Sequence, residues 1–418
     1  MKKLYTISLV LVIVLLLCIS NFVFAIEKVV KIGVIIPLTG KLALEGSIIK
    51  NGIDIATEII NNKTDIDVPL GKTEGLPNLG GAKIEIVYAD DQGIPERGMS
   101  EAERLIASGE VVALFGSLSS AVTSTAQMVA EKYKFPMLNG LSTSPMLNKK
   151  GLKWFFRTTP DDTIIMRSFY DFLEDYREAT GTKYETVAII HEDSLYGTDC
   201  SRLLFDFAHE YGYKVGTNLA FPSGSVDLTS EVQRIKIANP DILFSICYAQ
   251  DQILLVKTMK FLDVNVDGLF INMSLPAIFN ALQKDAEGII VMEVFNGDSA
   301  EVNPNAKKMM ELWKAKYGDV SMDNNSARGA MGILVLADAI NRAGATDPES
   351  IRKALMETDI PKEKIFLSWN GIKFDENGLN EKANAINVQY LDGKLHQIWP
   401  FSDSKFKPVL PFKRWDER

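Results

Sequence analysis

The sequence predicts an α/β protein made of two doubly wound parallel-sheet units, and three observations point there. Continuous apolar runs such as "KVVKIGVII" (28–36) alternate with amphipathic helical stretches, the pattern of parallel strands covered on both faces. The alternation runs to about residue 158 and then restarts. The chain is 418 residues long and 46% apolar, long enough for two domains with sizeable cores.

The elements follow in order. After the first strand, "GSIIKNGIDIATEIIN" (46–61) carries apolar residues at 48, 49, 53, 55, 56, 59 and 60, a helical spacing. Residues 62–81 are loop-like. "AKIEIVYAD" (82–90) reads as a strand, and 95–108 as a helix with Arg97, Glu101 and Arg104 on its polar side. "VVALF" (111–115) is a strand and 120–133 a helix; "FPML" and "WFFRT" are short extended pieces. The second unit opens with a helix at 163–177 and the strand "TVAIIHE" (186–192). A helix at 197–211, the strand "KVGTNLAF" and a helix at 228–237 follow. The strand "DILFSICY" (241–248), a helix at 250–262 and the strand "GLFINM" (268–273) complete the alternation. "GIIVMEVF" (288–295) precedes helices at 304–317 and 326–343, the last stopped by Gly344. From 365 to 400 the chain reads as short strands, with "DENG" (375–378) and "LDGK" (391–394) as turns.

The N-terminus is a separate object. Lys2 and Lys3 precede an uncharged apolar stretch that ends in "VFA" at Val23 to Ala25. That is a signal peptide, with cleavage expected after Ala25; an uncleaved anchor is the alternative. Leu17 before Cys18 is too large for the usual lipid-attachment motif. Without Lys2 and Lys3 the chain has 43 basic and 54 acidic residues, a net charge of −11. An acidic surface argues against nucleic acid as a partner. Only Cys200 and Cys247 remain after cleavage, and a buried, unbonded pair is expected. Two cysteines and the scattered His191, His209 and His396 make no metal site, and no cofactor is implied.

"GKT" at 71–73 lacks the glycine five residues earlier that a phosphate-binding loop needs; position 66 is Ile. No nucleophile elbow, zinc-protease helix or dinucleotide fingerprint is present, which weakens an enzyme reading. His191 near Tyr196 is the only tempting catalytic pair.

"ALFGSLSSAVTSTAQ" (113–127) ends a buried strand in six hydroxyls as a helix begins. In open α/β sheets ligands bind beyond the carboxyl ends of strands, where helices start. A helix N-terminus offers unpaired N–H groups and a positive dipole end. Ser119 and Ser120 therefore suit a small carboxylate, whereas one hydroxyl alone would be plain capping. A second cluster, Ser142 to Ser144 in "LNGLSTSPML", follows the next strand and is expected to converge on the same pocket.

These landmarks together resemble the periplasmic solute-binding proteins of the branched-chain amino-acid (Leu/Ile/Val) type, the receptors of ABC importers. They are "VVKIGVIIPLTG", "GIDIATEIIN", "YADDQGIPERG", "FGSLSSAVT", "LSTSP", "HEDSLYGTD" and "LADAINRAG", in order over nearly all of the chain. The resemblance implies the type I periplasmic-binding-protein fold: two doubly wound lobes joined by three crossover strands, closing on a ligand. It places the crossings near 157–160, 292–295 and 369–372. Lobe 1 would be 27–158 and 293–369, lobe 2 would be 159–292 and 370–400, and the 401–418 tail would pack loosely.

The resemblance also assigns residues. The carboxylate-binding Ser falls at Ser120, preceded by Leu118 and Ser119. The pair that contacts the ligand's polar end falls at Ser142 and Thr143, and the lobe 2 aromatics at Tyr196 and Tyr248. Two positions depart from the family pattern. Ser274 stands where amino-acid binders usually place an acid for the ligand's ammonium, and Glu45 where an aromatic is common. Either Glu45 or Asp251 supplies the carboxylate, or the ligand has no amine, as in an organic acid or an amide. Arg328, opening a lobe 1 helix, is a possible contact for an acid but is expected at the surface. The expected protein is a periplasmic, non-enzymatic receptor that hands a small amino acid, organic acid or amide to a membrane permease. A ligand-sensing module for a signalling partner is the alternative.

Overall fold

The structure, a computed structural model, describes residues 28–272 and 274–418. The expected signal peptide and its cleavage after Ala25 lie outside the described residues.

The run that opens the chain forms β1 (Val29–Ile36). Its alternate residues feed two cores. Ile32, Val34 and Ile36 face one side, where α1 (Ala43–Asn61) contributes Ile49, Ile53 and Ala56. Ile35 faces the other, with Ala102 and Leu105 of α2 (Pro95–Ser108) and Ala126 and Val129 of α3 (Ser120–Tyr133). A strand buried on both faces cannot alternate polar and apolar residues, which is why it reads as a continuous apolar run.

β2 (Lys83–Asp90), β3 (Val111–Gly116), β4 (Met137–Asn139) and β5 (Phe155–Arg157) complete a parallel sheet in the order β2-β1-β3-β4-β5. The chain then builds the second lobe. α4 (Asp162–Thr180) leads into β6 (Thr186–Glu192), α5 (Leu195–Tyr211), β7 (Lys214–Phe221) and α6 (Thr229–Ala238). β8 (Ile242–Ile246), α7 (Ala249–Phe261), β9 (Gly268–Ile271), α8 (Pro276–Leu282) and β10 (Ile290–Glu293) follow. Here the parallel strands lie in the order β7-β6-β8-β9-β10, the same winding as in the first lobe.

The chain returns to the first lobe through α9 (Ser299–Val302), α10 (Pro304–Tyr317), α11 (Asn324–Ala343) and α12 (Pro348–Met356). Gly329 of α11 packs against Ile49 and Ile53 of α1. A two-stranded ribbon, β11 (Asp359–Pro361) with β12 (Gly371–Lys373), precedes residues that stay tied to the first sheet. Arg157 bridges to Leu379, and Asn380 Nδ2 donates to the Thr158 carbonyl at 3.0 Å. The chain reaches the second sheet at β13 (Ile386–Leu391), with β14 (Lys394–Trp399) at the edge, both antiparallel. The last passage between sheets thus falls after Asn380, later than the expected 369–372.

Two further differences stand out. α12 was not anticipated, although Asp347 caps it and Pro348 opens it. The 401–418 tail does not pack loosely. Phe412 is buried against Gly288, its N–H donates to Asp267 O at 2.7 Å, and the Trp415 indole donates to Val264 O at 2.7 Å.

Candidate functional site

Both sheets change winding direction between their first and third strands, at β1/β3 and β6/β8. Such switch points open a crevice beyond the strands' carboxyl ends. The two crevices face each other.

On the first-lobe side, β3 ends at Gly116 with φ 119°, where a Cβ would lie 2.0 Å from the Ile35 carbonyl. Only glycine lets the chain turn there. The loop beyond is built from hydroxyls and one amide. Asn139 Nδ2 donates to the carbonyls of Gly116 (2.7 Å) and Ser117 (2.8 Å), and its Oδ1 accepts from the N–H groups of Leu141 and Ser142. The Ser142 hydroxyl donates to the Ser117 and Leu118 carbonyls and sits 2.7 Å from Thr123 Oγ1. The Ser117 hydroxyl donates to Asp91. Much of the hydroxyl cluster therefore shapes the loop. Ser120 differs: its Oγ accepts only a long 3.3 Å bond from Ser144 N–H, and it lines a cavity.

That cavity is small, about 20 Å³ in this closed arrangement, and is walled by Leu118, Ser120, Leu141, Thr143 and Arg328 on one side. Tyr196, Tyr248, Asn272 and Met292 wall the other. The Tyr196 and Tyr248 rings pack at 5.5 Å between centroids, forming an aromatic floor. Tyr196 follows β6, Tyr248 follows β8 and Asn272 follows β9, each at a strand's carboxyl end.

The N-termini of α3, α5 and α7 lie at the carboxyl ends of their strands, and they differ. At α5 the Glu192 carboxylate accepts the Ser194 and Gly197 N–H groups. At α7 the Glu45 carboxylate accepts the Ala249 N–H at 3.3 Å across the lobes. Burial pushes both carboxyls upward, and these N–H bonds pull them back. At α3 the N-cap Ser119 makes no capping bond, so its first turn is left for another acceptor. The free positive helix end lies beside Ser120.

The remaining sequence-predicted residues sit off the cavity wall. The Ser142 hydroxyl is consumed within its loop. The Ser119 hydroxyl lies beside the Tyr248 side chain across the seam. Glu45 is turned to α7, and Asp251 accepts the Gly224 N–H at 3.1 Å, so neither presents a carboxylate to the cavity. Ser274 is buried beside Glu293. Arg328 corrects its expectation outright: it is 4% exposed and on the cavity wall, because α11 packs between α1 and the cleft. Leu141, Asn272 and Met292 were missed. Asn272 had a signal, since it directly follows β9; Leu141 and Met292 had none beyond being apolar. His191, buried, turns its Nδ1 to the Glu192 carbonyl at 2.9 Å, and burial holds its pKa down. Cys200 and Cys247 are free and buried. Among the described residues no cluster of His, Cys, Asp or Glu suits a metal ion.

The lobes meet directly around the cavity. Lys41 Nζ donates to Ser223 O at 2.8 Å, and the Ser144 hydroxyl donates to Asp199. With the Glu45–Ala249 bond, these contacts hold a closed arrangement.

Comparison with known proteins agrees with this fold. Residues 29–378 match the family described as periplasmic binding protein. "Leu/Ile/Val-binding protein homolog 7" of Brucella melitensis is 26% identical over 383 residues, covering 89% of this chain and 91% of the relative. "Leu/Ile/Val-binding protein homolog 8" of Brucella abortus is 27% identical over 385 residues, covering 89% and 90%. Among solved structures, the leucine-binding protein LivK of Thermotoga maritima superposes with a TM-score of 0.75 at 25% identity, over 88% of this chain and 97% of that one. The Streptococcus pneumoniae LivJ protein, in complex with isoleucine, shares the fold with a TM-score of 0.73 at 20% identity, over 92% and 100%.

Proposed function

Because the chain belongs to the periplasmic binding protein family, we propose that it is the receptor of an ABC importer for a small carboxylate-bearing ligand. Its relatives are binding proteins rather than enzymes. One observation carries the reading. A cavity at the carboxyl ends of both sheets is walled by residues of both lobes and lies at the N-terminus of α3, whose N-cap Ser119 makes no side-chain capping bond. A carboxylate seated there accepts the α3 N–H groups and the Ser120 hydroxyl, with Thr143 beside it. Tyr196 and Tyr248 cover it when the lobes close. A ligand touching both lobes shifts the open–closed equilibrium by its differential affinity for the closed form. A membrane permease reads that form. The mature receptor begins after Ala25, works outside the cytoplasm, and divides into lobes at the boundaries given above, with the last crossing moved beyond Asn380.

The test is a thermal-shift screen of the mature chain against amino acids, organic acids and amides, followed by small-angle scattering with each hit. A carboxylate that raises the melting temperature and shrinks the radius of gyration supports the reading. Amides acting alone, or hits that leave the radius unchanged, oppose it.

A further inference from the structure

Three residues of the cavity wall each carry a buried polar atom with no partner: Arg328 (Nε), Tyr196 (the hydroxyl) and Asn272 (Oδ1). All three residues are more than nine-tenths buried. Buried polar groups are almost always paired, so this arrangement is completed by a polar guest.

Arg328 decides what kind of guest. A guanidinium stays charged in proteins. Its Nη1 donates to the Leu141 carbonyl at 3.1 Å and to Thr159 Oγ1 at 3.4 Å, and its Nη2 donates to the Asn325 amide oxygen. All of these acceptors are neutral. Three carboxyls face the group: Glu293 at the end of β10, Asp323 before α11 and Asp162 at the start of α4. Asp323 is turned away, accepting the N–H groups of Asn325 and Ser326 and the Ser326 hydroxyl. Burial pushes Glu293 well above the carboxylate range, and neither of its oxygens meets a donor in hydrogen-bond geometry, though Ser274 offsets part of the burial. Burial pushes Asp162 up to about 7. None of these carboxyls lines the cavity. The wall therefore presents a fixed cation and no opposing anion, and a ligand ammonium in so small a space meets a like charge.

We infer that Arg328 sets the specificity of the cleft, selecting a small acid that has no ammonium group and carries a second oxygen acceptor, a 2-oxo group or second carboxylate. This rests on the reading above, in which the first carboxylate lies at the α3 N-terminus. The second acceptor takes the Arg328 Nε proton, the Tyr196 hydroxyl donates to the same end, and the Asn272 amide, turned about its last torsion to present Nδ2, donates as well.

The experiment is calorimetric titration of the mature chain with leucine, with 4-methyl-2-oxopentanoate (leucine's amine-free counterpart) and with succinate. In the unmodified chain at least one of the two acids binds 10-fold or more tighter than leucine. Arg328→Gln weakens that acid at least 10-fold and leaves leucine unchanged or improved. Should Arg328→Gln not fold, as judged by circular dichroism, Arg328→Lys replaces it. Lysine keeps the charge, so the acid's preference over leucine survives. Leucine binding tighter than both acids, neither acid binding, or an acid-to-leucine ratio unmoved by Arg328→Gln overturns the inference. Failure of the underlying reading looks different: Ser120→Ala then leaves every ligand's affinity intact.

Discussion

Ser120→Ala and Ser142→Ala separate binding from scaffolding within one hydroxyl cluster. Both side chains are buried and lie just beyond a strand's end, Ser120 after β3 and Ser142 after β4, yet their partners differ. The Ser120 hydroxyl has one internal contact, the 3.3 Å bond from Ser144 N–H, and otherwise faces the cavity. Its loss removes a hydrogen bond to a charged ligand, worth about 1.5–3 kcal/mol, or about 10- to 150-fold in Kd. Without ligand the cost is about 1 kcal/mol or less, about 2 °C in melting temperature. The Ser142 hydroxyl instead serves the Ser117 and Leu118 carbonyls and Thr123. Its removal strands buried acceptors, at about 1–3 kcal/mol, and lowers the ligand-free melting temperature by roughly 2–10 °C. Calorimetric titration and differential scanning calorimetry on the two variants supply the readouts. If Ser120→Ala melts early and binds normally, while Ser142→Ala does the reverse, the assignment of roles is refuted.

Other perturbations probe the frame and the closure. Gly116→Ala forces a Cβ to 2.0 Å from the Ile35 carbonyl and should cost on the order of 3 kcal/mol, seen in urea unfolding; a neutral effect contradicts the turn argument. Phe412→Ala should lower stability by about 3–5 kcal/mol, whereas a loosely packed tail would show no change. Lys41→Ala removes an exposed interlobe contact and should weaken ligand binding by up to about 5-fold, as befits an exposed charge worth about 1 kcal/mol at most, with the effect shrinking in high salt. Stability should also depend on pH. Burial pushes Asp91 up to about 6 and Asp162 up to about 7. Both hold a proton more tightly folded than unfolded, where the pKa is about 4. Stability therefore falls as pH rises from about 4 towards 7 and then levels off. Asp162→Asn should flatten that fall in melting curves recorded from pH 5 to 8, and an unchanged slope would contradict the burial argument.

The winding of both sheets was legible because strands buried on both faces leave unbroken apolar runs and their helices keep a 3.6-residue stripe. Ser120 and Thr143 were legible because they follow strand ends, where α/β sheets open; Tyr196 and Tyr248, also on the cavity wall, were indicated only by the resemblance to the solute-binding family. What was not legible depended on packing between distant segments. Arg328 looks like any helical arginine until α11 is seen wedged between α1 and the cleft. Glu45 looks available for a ligand until the N-terminus of α7 is brought against it from residues 204 positions away. Ser142 and Ser120 share a chemistry and differ only in which carbonyls lie within reach. The tail's attachment rests on Phe412 and Trp415 meeting the segments that lead into β9 and β10, which no local pattern announces.

A crystal structure of the mature chain with the tightest-binding acid from the screen bears most directly on the central claim. The predicted result is a closed cleft with carboxylate oxygens within hydrogen-bond distance of Ser120 Oγ and the first N–H groups of α3, and Tyr196 and Tyr248 against the ligand body. A ligand bound elsewhere, or in this cleft with its acid group turned away from α3, would contradict it.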